Sequence, residues 1–143
     1  MNRIIGIDYG TKRIGLAVTD PLGMFASPLD TVPSAKIIEY LKNYATGEEI
    51  SLFVVGYPMN LDNRPAEAAK HVDGFLRLLK KNFPDKEVVL VDERFSSVLA
   101  HRAMIDGGMK KMDRRDKSVV DKISAAIILQ AYLDRNHGVS DIF

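Results

Sequence analysis

The sequence predicts an α/β fold: one mixed sheet, antiparallel at its start and parallel afterwards, with helices on both faces. Three observations predict it. Ile4 to Ile7 and Ile14 to Val18, both rich in β-branched residues, flank the polar stretch Asp8-Tyr9-Gly10-Thr11-Lys12-Arg13, which is the pattern of a hairpin. Ser51 to Gly56 and Val88 to Val91 are short apolar runs without alternation, as expected of strands covered on both faces and hence parallel. Around them the apolar spacing lengthens to three and four residues, so helix alternates with strand. A chain of 143 residues has the size of one ordinary domain, and residues 1–143 are expected to form a single one.

In chain order, the hairpin is followed by Pro21 to Pro28, punctuated by Pro and Gly, and then by a short third strand, Leu29 to Val32. Ser34 is placed to cap a helix running to about Tyr44, with Ile37, Ile38 and Leu41 as its apolar stripe and Gly47 as its end. Ser51 to Gly56 then leads into the loop Tyr57-Pro58-Met59-Asn60. From Pro65 to Phe83 the residues Val72, Phe75, Leu76, Leu79 and Phe83 recur at helical spacing, with Lys80 and Lys81 in the last turns where they suit the helix dipole. Val88 to Val91 is expected as the next buried strand, Ser96 or Ser97 as the cap of a helix ending at Gly107-Gly108, and Ser118 as the start of a last helix closed by Gly138. Ligands of open sheets bind beyond the carboxyl ends of the strands, which assigns Asp8, the loop after Gly56 and Asp92-Glu93 to one rim.

Composition excludes several chemistries. The chain has no cysteine, so disulfides, thiolate nucleophiles and Cys-ligated zinc are ruled out, and its three histidines lack metal-ligand spacing. Any metal must be held by oxygen. His71, His101 and His137 are read as surface residues. A net charge of +1 gives no global argument for nucleic acid, so that case rests on local clustering. No apolar run approaches a bilayer span and the first residues lack a signal-peptide pattern, so the expected location is the cytoplasm, with no membrane partner.

Asp8 sits where a strand gives way to a glycine turn, and either opens that turn or faces a metal or phosphate that approaches it. Asp92 and Glu93 stand where a strand runs out; alternation allows only one to face Asp8, and the residues alone do not say which. Asp121 fits a helix-start pattern in which a carboxylate meets free backbone N–H groups, yet the apolar segment Val119 to Leu133 would also carry it onto the sheet. Met109 to Lys117 holds Lys110, Lys111, Arg114, Arg115 and Lys117 against two acidic residues. It is either a solvated segment or a set of phosphate contacts, joined at the rim by Lys12, Arg13 and Arg64.

Gly6-Ile7-Asp8-Tyr9-Gly10 with Arg13-Ile14-Gly15, Val55-Gly56-Tyr57-Pro58, Asp92-Glu93-Arg94, and Val120-Asp121 followed by Ala125-Ala126 resemble the YqgF family, also called RuvX, of the RNase H-like superfamily. The resemblance covers nearly the whole chain. It implies an RNase H-like, five-stranded mixed sheet of order 3-2-1-4-5 and a nuclease role in maturing the 5′ end of pre-16S ribosomal RNA, with RNA ahead of DNA as partner. It assigns the acidic site to Asp8, Glu93 and Asp121, favouring Glu93 over Asp92. Relatives of the RuvC type carry a fourth carboxylate one helical turn beyond the helix Asp, where this chain has Ser124.

The chemistry suits these residues on its own terms. Phosphodiester hydrolysis needs an activated water and a stabilised leaving oxygen, which two Mg²⁺ or Mn²⁺ ions held by carboxylates supply. Asp8 would bridge the ions, with Glu93 and Asp121 one on each side. The alternatives are a Holliday-junction resolvase-like DNA nuclease, a nucleic-acid-binding module with a vestigial site, and half of a sugar-kinase or actin-type ATPase, the last disfavoured because a second lobe is missing.

Overall fold

The computed structural model describes residues 2–60, 62, 64–93 and 117–136. Strands β1 (Asn2–Asp8), β2 (Arg13–Thr19) and β3 (Ala26–Pro33) form the antiparallel half of the sheet. A 3-10 turn (Ser34–Lys36) leads into α1 (Ile37–Gly47), and then follow β4 (Glu49–Tyr57), α2 (Ala69–Asn82), β5 (Glu87–Asp92) and α3 (Lys117–Asn136). The sheet order is β3-β2-β1-β4-β5, with β1, β4 and β5 parallel. The expected helix from Ser96 or Ser97 to Gly107-Gly108 and the closing Gly138 lie outside the described residues.

Alternation along the central strands sorts side chains into two layers. Ile5 and Ile7 of β1, Ile14 and Leu16 of β2, and Phe53 and Val55 of β4 form one core with Ile37 and Leu41 of α1 and Val72, Phe75 and Leu79 of α2. On the other face, Ala17, Val54 and Val91 meet Ala125, Ile128, Leu129 and Leu133 of α3. The second layer is thin because glycine lines it. A Cβ at Gly6 would come within 2.7 Å of the Leu129 Cβ, one at Gly56 within 2.6 Å of the Ile128 Cδ1, and one at Gly15 would collide with the Asp121 carbonyl oxygen. On three adjacent strands, the missing side chains therefore let α3 lie directly on the backbone of the sheet.

Four expectations need correction. The third strand is longer than Leu29 to Val32, because an edge strand tolerates Pro28 and Pro33 where a central one would not. Ser34 does not cap α1: it opens the 3-10 turn, and its hydroxyl donates to the Thr11 carbonyl at 2.6 Å. The second helix begins at Ala69 and not Pro65, because the Ala66 N–H is committed to the Pro58 carbonyl and Pro65 bridges to Met59. Finally, β5 ends the sheet, so Val91 is buried while Leu90 is 46% exposed.

Candidate active site

The register of the sheet assembles the rim. Asp8, last residue of β1, pairs with Gly15 of β2, and alternation turns its side chain to the α3 face shared with Gly6. Where Gly15 has no side chain, the backbone of α3 at Asp121 seats itself, so Asp121 stands over the neighbour of Asp8. On the other flank, the Glu93 N–H donates to the Tyr57 carbonyl at 3.1 Å, which extends the β4–β5 pairing one step past Asp92. Glu93 Oε2 lies 3.0 Å from the position of a Cβ at Gly56, on the α3 face. Val91 faces α3, so Asp92 turns away and Glu93 turns inward.

Charge crowds at this point. The Asp8 carboxyl is pushed up from 3.8 to about 7, first by burial and then by the negative charges of Glu93 and Asp121. Glu93 is also raised, by burial and by its neighbour Asp92. Asp121 has a counterion: Arg13 Nε donates to its Oδ2 at 2.8 Å. Asp121 is the fifth residue of α3 and lies beyond the first turn, so the helix-capping reading gives way to an ion pair with β2. With that carboxylate turned to Arg13, no three ligand-type side chains among the described residues are gathered into a ready cation cage. The rim unites the three acids without preassembling them around an ion. Ser124, where a fourth acid is expected, is buried.

The basic residues divide. Lys12 is exposed on the β1–β2 turn, which the Ser34 N–H fastens by donating to the Lys12 carbonyl at 3.0 Å. Arg64 is exposed on the loop after β4, within 4.0 Å of Asp62. Lys117 opens α3, whereas Lys110, Lys111, Arg114 and Arg115 lie outside the described residues, as do His101 and His137. His71 is exposed as expected, but it also lines a cavity of about 200 Å³ with Tyr9, Thr11, Pro58 and Glu93. Sequence reasoning missed that cavity, the pairing of Arg13 with Asp121, and the bond of 2.9 Å from the Tyr57 hydroxyl to Asp73 that ties β4 to α2. The glycines were the legible signal: Gly15 falls inside the motif that carries Asp8, and Gly56 inside the neighbouring motif Val55-Gly56-Tyr57-Pro58.

A mixed sheet of order 3-2-1-4-5, with one acid at the end of its central strand β1, one just past β5 and one on the helix laid across it, defines an RNase H-like fold. The fold is shared with Thermus thermophilus RuvC in complex with a Holliday junction substrate (TM-score 0.57, 19% identity, 97% of this chain and 98% of that one). It is also shared with the fowlpox virus resolvase in complex with Holliday junction DNA (TM-score 0.59, 11% identity, 94% and 98%). Within that class, residues 2–135 match the family model described as RuvX, Holliday junction resolvase, and the chain belongs to that family. Relatives named "Putative pre-16S rRNA nuclease" include those of Parabacteroides distasonis, 52% identical over 134 residues (94% of this chain, 96% of the relative), and Christiangramia forsetii, 48% identical over 133 residues (93% and 98%).

Proposed function

We propose that the chain is a metal-dependent nuclease that hydrolyses phosphodiester bonds in the 5′-end processing of pre-16S rRNA, acting in the cytoplasm on RNA ahead of DNA. The names of its relatives support the substrate. The observation that carries the chemistry is the Asp8 carboxyl, held at about 7 between two further acids on one rim. A surplus of negative charge in a partly enclosed site is relieved by a cation, and an all-oxygen donor set suits Mg²⁺ or Mn²⁺. Asp8, Glu93 and Asp121 would hold it, with Asp8 central. When bound, such ions activate water and stabilise the leaving oxygen. The chain's own part is positional. Gly15 and Gly56 bring Asp121 and Glu93 to either flank of Asp8, and Arg13 keeps the Asp121 carboxylate paired and oriented until a cation competes for the carboxylate or a phosphate for the guanidinium. Lys12, Arg64, Lys117 and the Lys110, Lys111, Arg114 and Arg115 segment would grip the phosphate backbone.

A second reading, a Holliday-junction resolvase, is favoured by the description of the family model. The test offers the purified chain an end-labelled RNA spanning the 16S leader junction and a four-way DNA junction, each with Mg²⁺, Mn²⁺ or EDTA. RNA cleavage that needs the metal and falls at least about a hundredfold in Asp8→Asn is expected. Cleavage of the junction alone would establish the resolvase, and retention of RNA without any cleavage would establish a binding module in which the site, with Ser124 in place of an acid, is vestigial.

A further inference from the structure

Beside Glu93 the rim continues into a groove that the acidic site does not use. The cavity that holds Glu93 at one end shares Tyr9 and His71 with a second cavity of about 290 Å³, which runs on past Ser34, Lys70 and Gly74 to Leu78. Tyr9 directly follows Asp8, and its ring is stacked on Phe75 with centroids 4.9 Å apart, so the aromatic wall is rigid. The floor is fixed as well, since Ser34 ties down the Thr11–Lys12 backbone through its hydroxyl and its N–H. Lys70 at the mouth bonds Glu67 at 2.8 Å, but both side chains are mostly exposed and such a pair exchanges readily for a phosphate.

We infer that this groove seats an unpaired nucleotide next to the phosphate to be cut, with the base entering between His71, Tyr9 and Leu78 and its phosphate meeting Lys70 and Lys12. The inference rests on the nuclease reading and deepens it by naming single-stranded nucleic acid as what the site takes. The lining favours a base over a bare anion: it is aromatic and aliphatic along its length, and its few polar groups can reach a base edge or one phosphate. A duplex keeps its bases stacked inside and gains nothing from such a groove.

Gly74 provides a clean test, because among the described residues a Cβ there would have only Arg77 Nη2 nearby, at 3.8 Å, and a larger side chain would fill the cavity from α2. Gly74→Leu and, separately, His71→Ala are compared with the unmodified chain by fluorescence anisotropy in EDTA, using single-stranded RNA, single-stranded DNA and a blunt duplex, with melting curves confirming the fold. Loss of one base contact should weaken single-strand binding by about tenfold in both variants and leave the duplex unchanged. Unchanged single-strand affinity in both well-folded variants, or an equal loss on the duplex, would overturn the inference. Binding in EDTA needs no cleavage, so a failure of the nuclease reading would show separately, as intact groove-dependent binding by a chain that cuts nothing.

Discussion

Asp8→Asn should make the metal-free protein more stable at neutral pH, and the size of the effect follows from the crowding at the rim. The Asp8 carboxyl stands at about 7 in the folded chain against 3.8 ordinarily. A group raised in this way contributes its stability in full below the lower value, and that contribution is lost as the pH rises through the higher one. Between these values the native chain binds more protons than the unfolded one, so stability falls as pH rises from about 4 to about 7. At 1.36 kcal/mol per pH unit the interval amounts to about 4 kcal/mol at full strength, and to about 2 kcal/mol if counterions at the rim offset half of it. Asn opens the same turn without the charge. Urea midpoints in EDTA at low ionic strength should therefore coincide for the two proteins near pH 4 and separate by about 1–2 M at pH 8, with the mutant ahead. Glu93 is also raised, so the mutant should keep a shallower slope of the same sign. Saturating Mg²⁺, binding only the native state, should restore about 3 kcal/mol to the wild type at a hundred times its dissociation constant and much less to the mutant. A mutant less stable than wild type at every pH, with no differential response to Mg²⁺, would refute the reasoning and leave Asp8 as a turn residue.

The remaining predictions concern how the acids are held. Gly15→Ala should destabilise most in the glycine series, by more than about 3 kcal/mol in thermal or urea unfolding, because its Cβ meets backbone of α3, whereas Gly56→Ala should cost less because the first atom it meets is the mobile end of Ile128. Arg13→Gln should cost about 1 kcal/mol or less, since the pair is partly exposed, yet lower the Mg²⁺ concentration needed to stabilise the chain by freeing Asp121. An unchanged Mg²⁺ midpoint would show that Arg13 does not compete with the cation. Replacing Lys110, Lys111, Arg114 and Arg115 by Ala should weaken RNA binding across sequences alike and flatten its salt dependence, measured as the slope of log affinity against log salt.

What was legible in the sequence follows from where local signals agree with the fold. The mixed sheet and its layering could be read because Ile5, Ile7, Phe53 and Val55 belong to apolar runs that need cover, whereas the strand order came from the family resemblance. Element ends were less legible. Ser34 has the chemistry of a cap, but its hydroxyl is drawn to Thr11, a contact set by the hairpin and invisible to local propensity. Pro28 looked like a strand breaker and sits within β3 because that strand is an edge. At the site, Asp8 and the Asp92-Glu93 pair followed from strand ends, but the choice of Glu93 came from the family resemblance, because its inward face depends on the β4–β5 register. The pairing of Arg13 with Asp121, residues far apart in the chain, depends on α3 settling onto Gly15. No periodicity encodes such a contact.

The titration of Asp8 itself tests most directly whether the three acids form one site that demands a cation. Followed by NMR through the labelled carboxyl carbon of Asp8 in the metal-free chain, it should show a midpoint of about 7, and Mg²⁺ should drive that midpoint well down as the cation takes up the charge. A midpoint near 3.8, indifferent to Mg²⁺, would mean that Asp8, Glu93 and Asp121 share a rim but not a site.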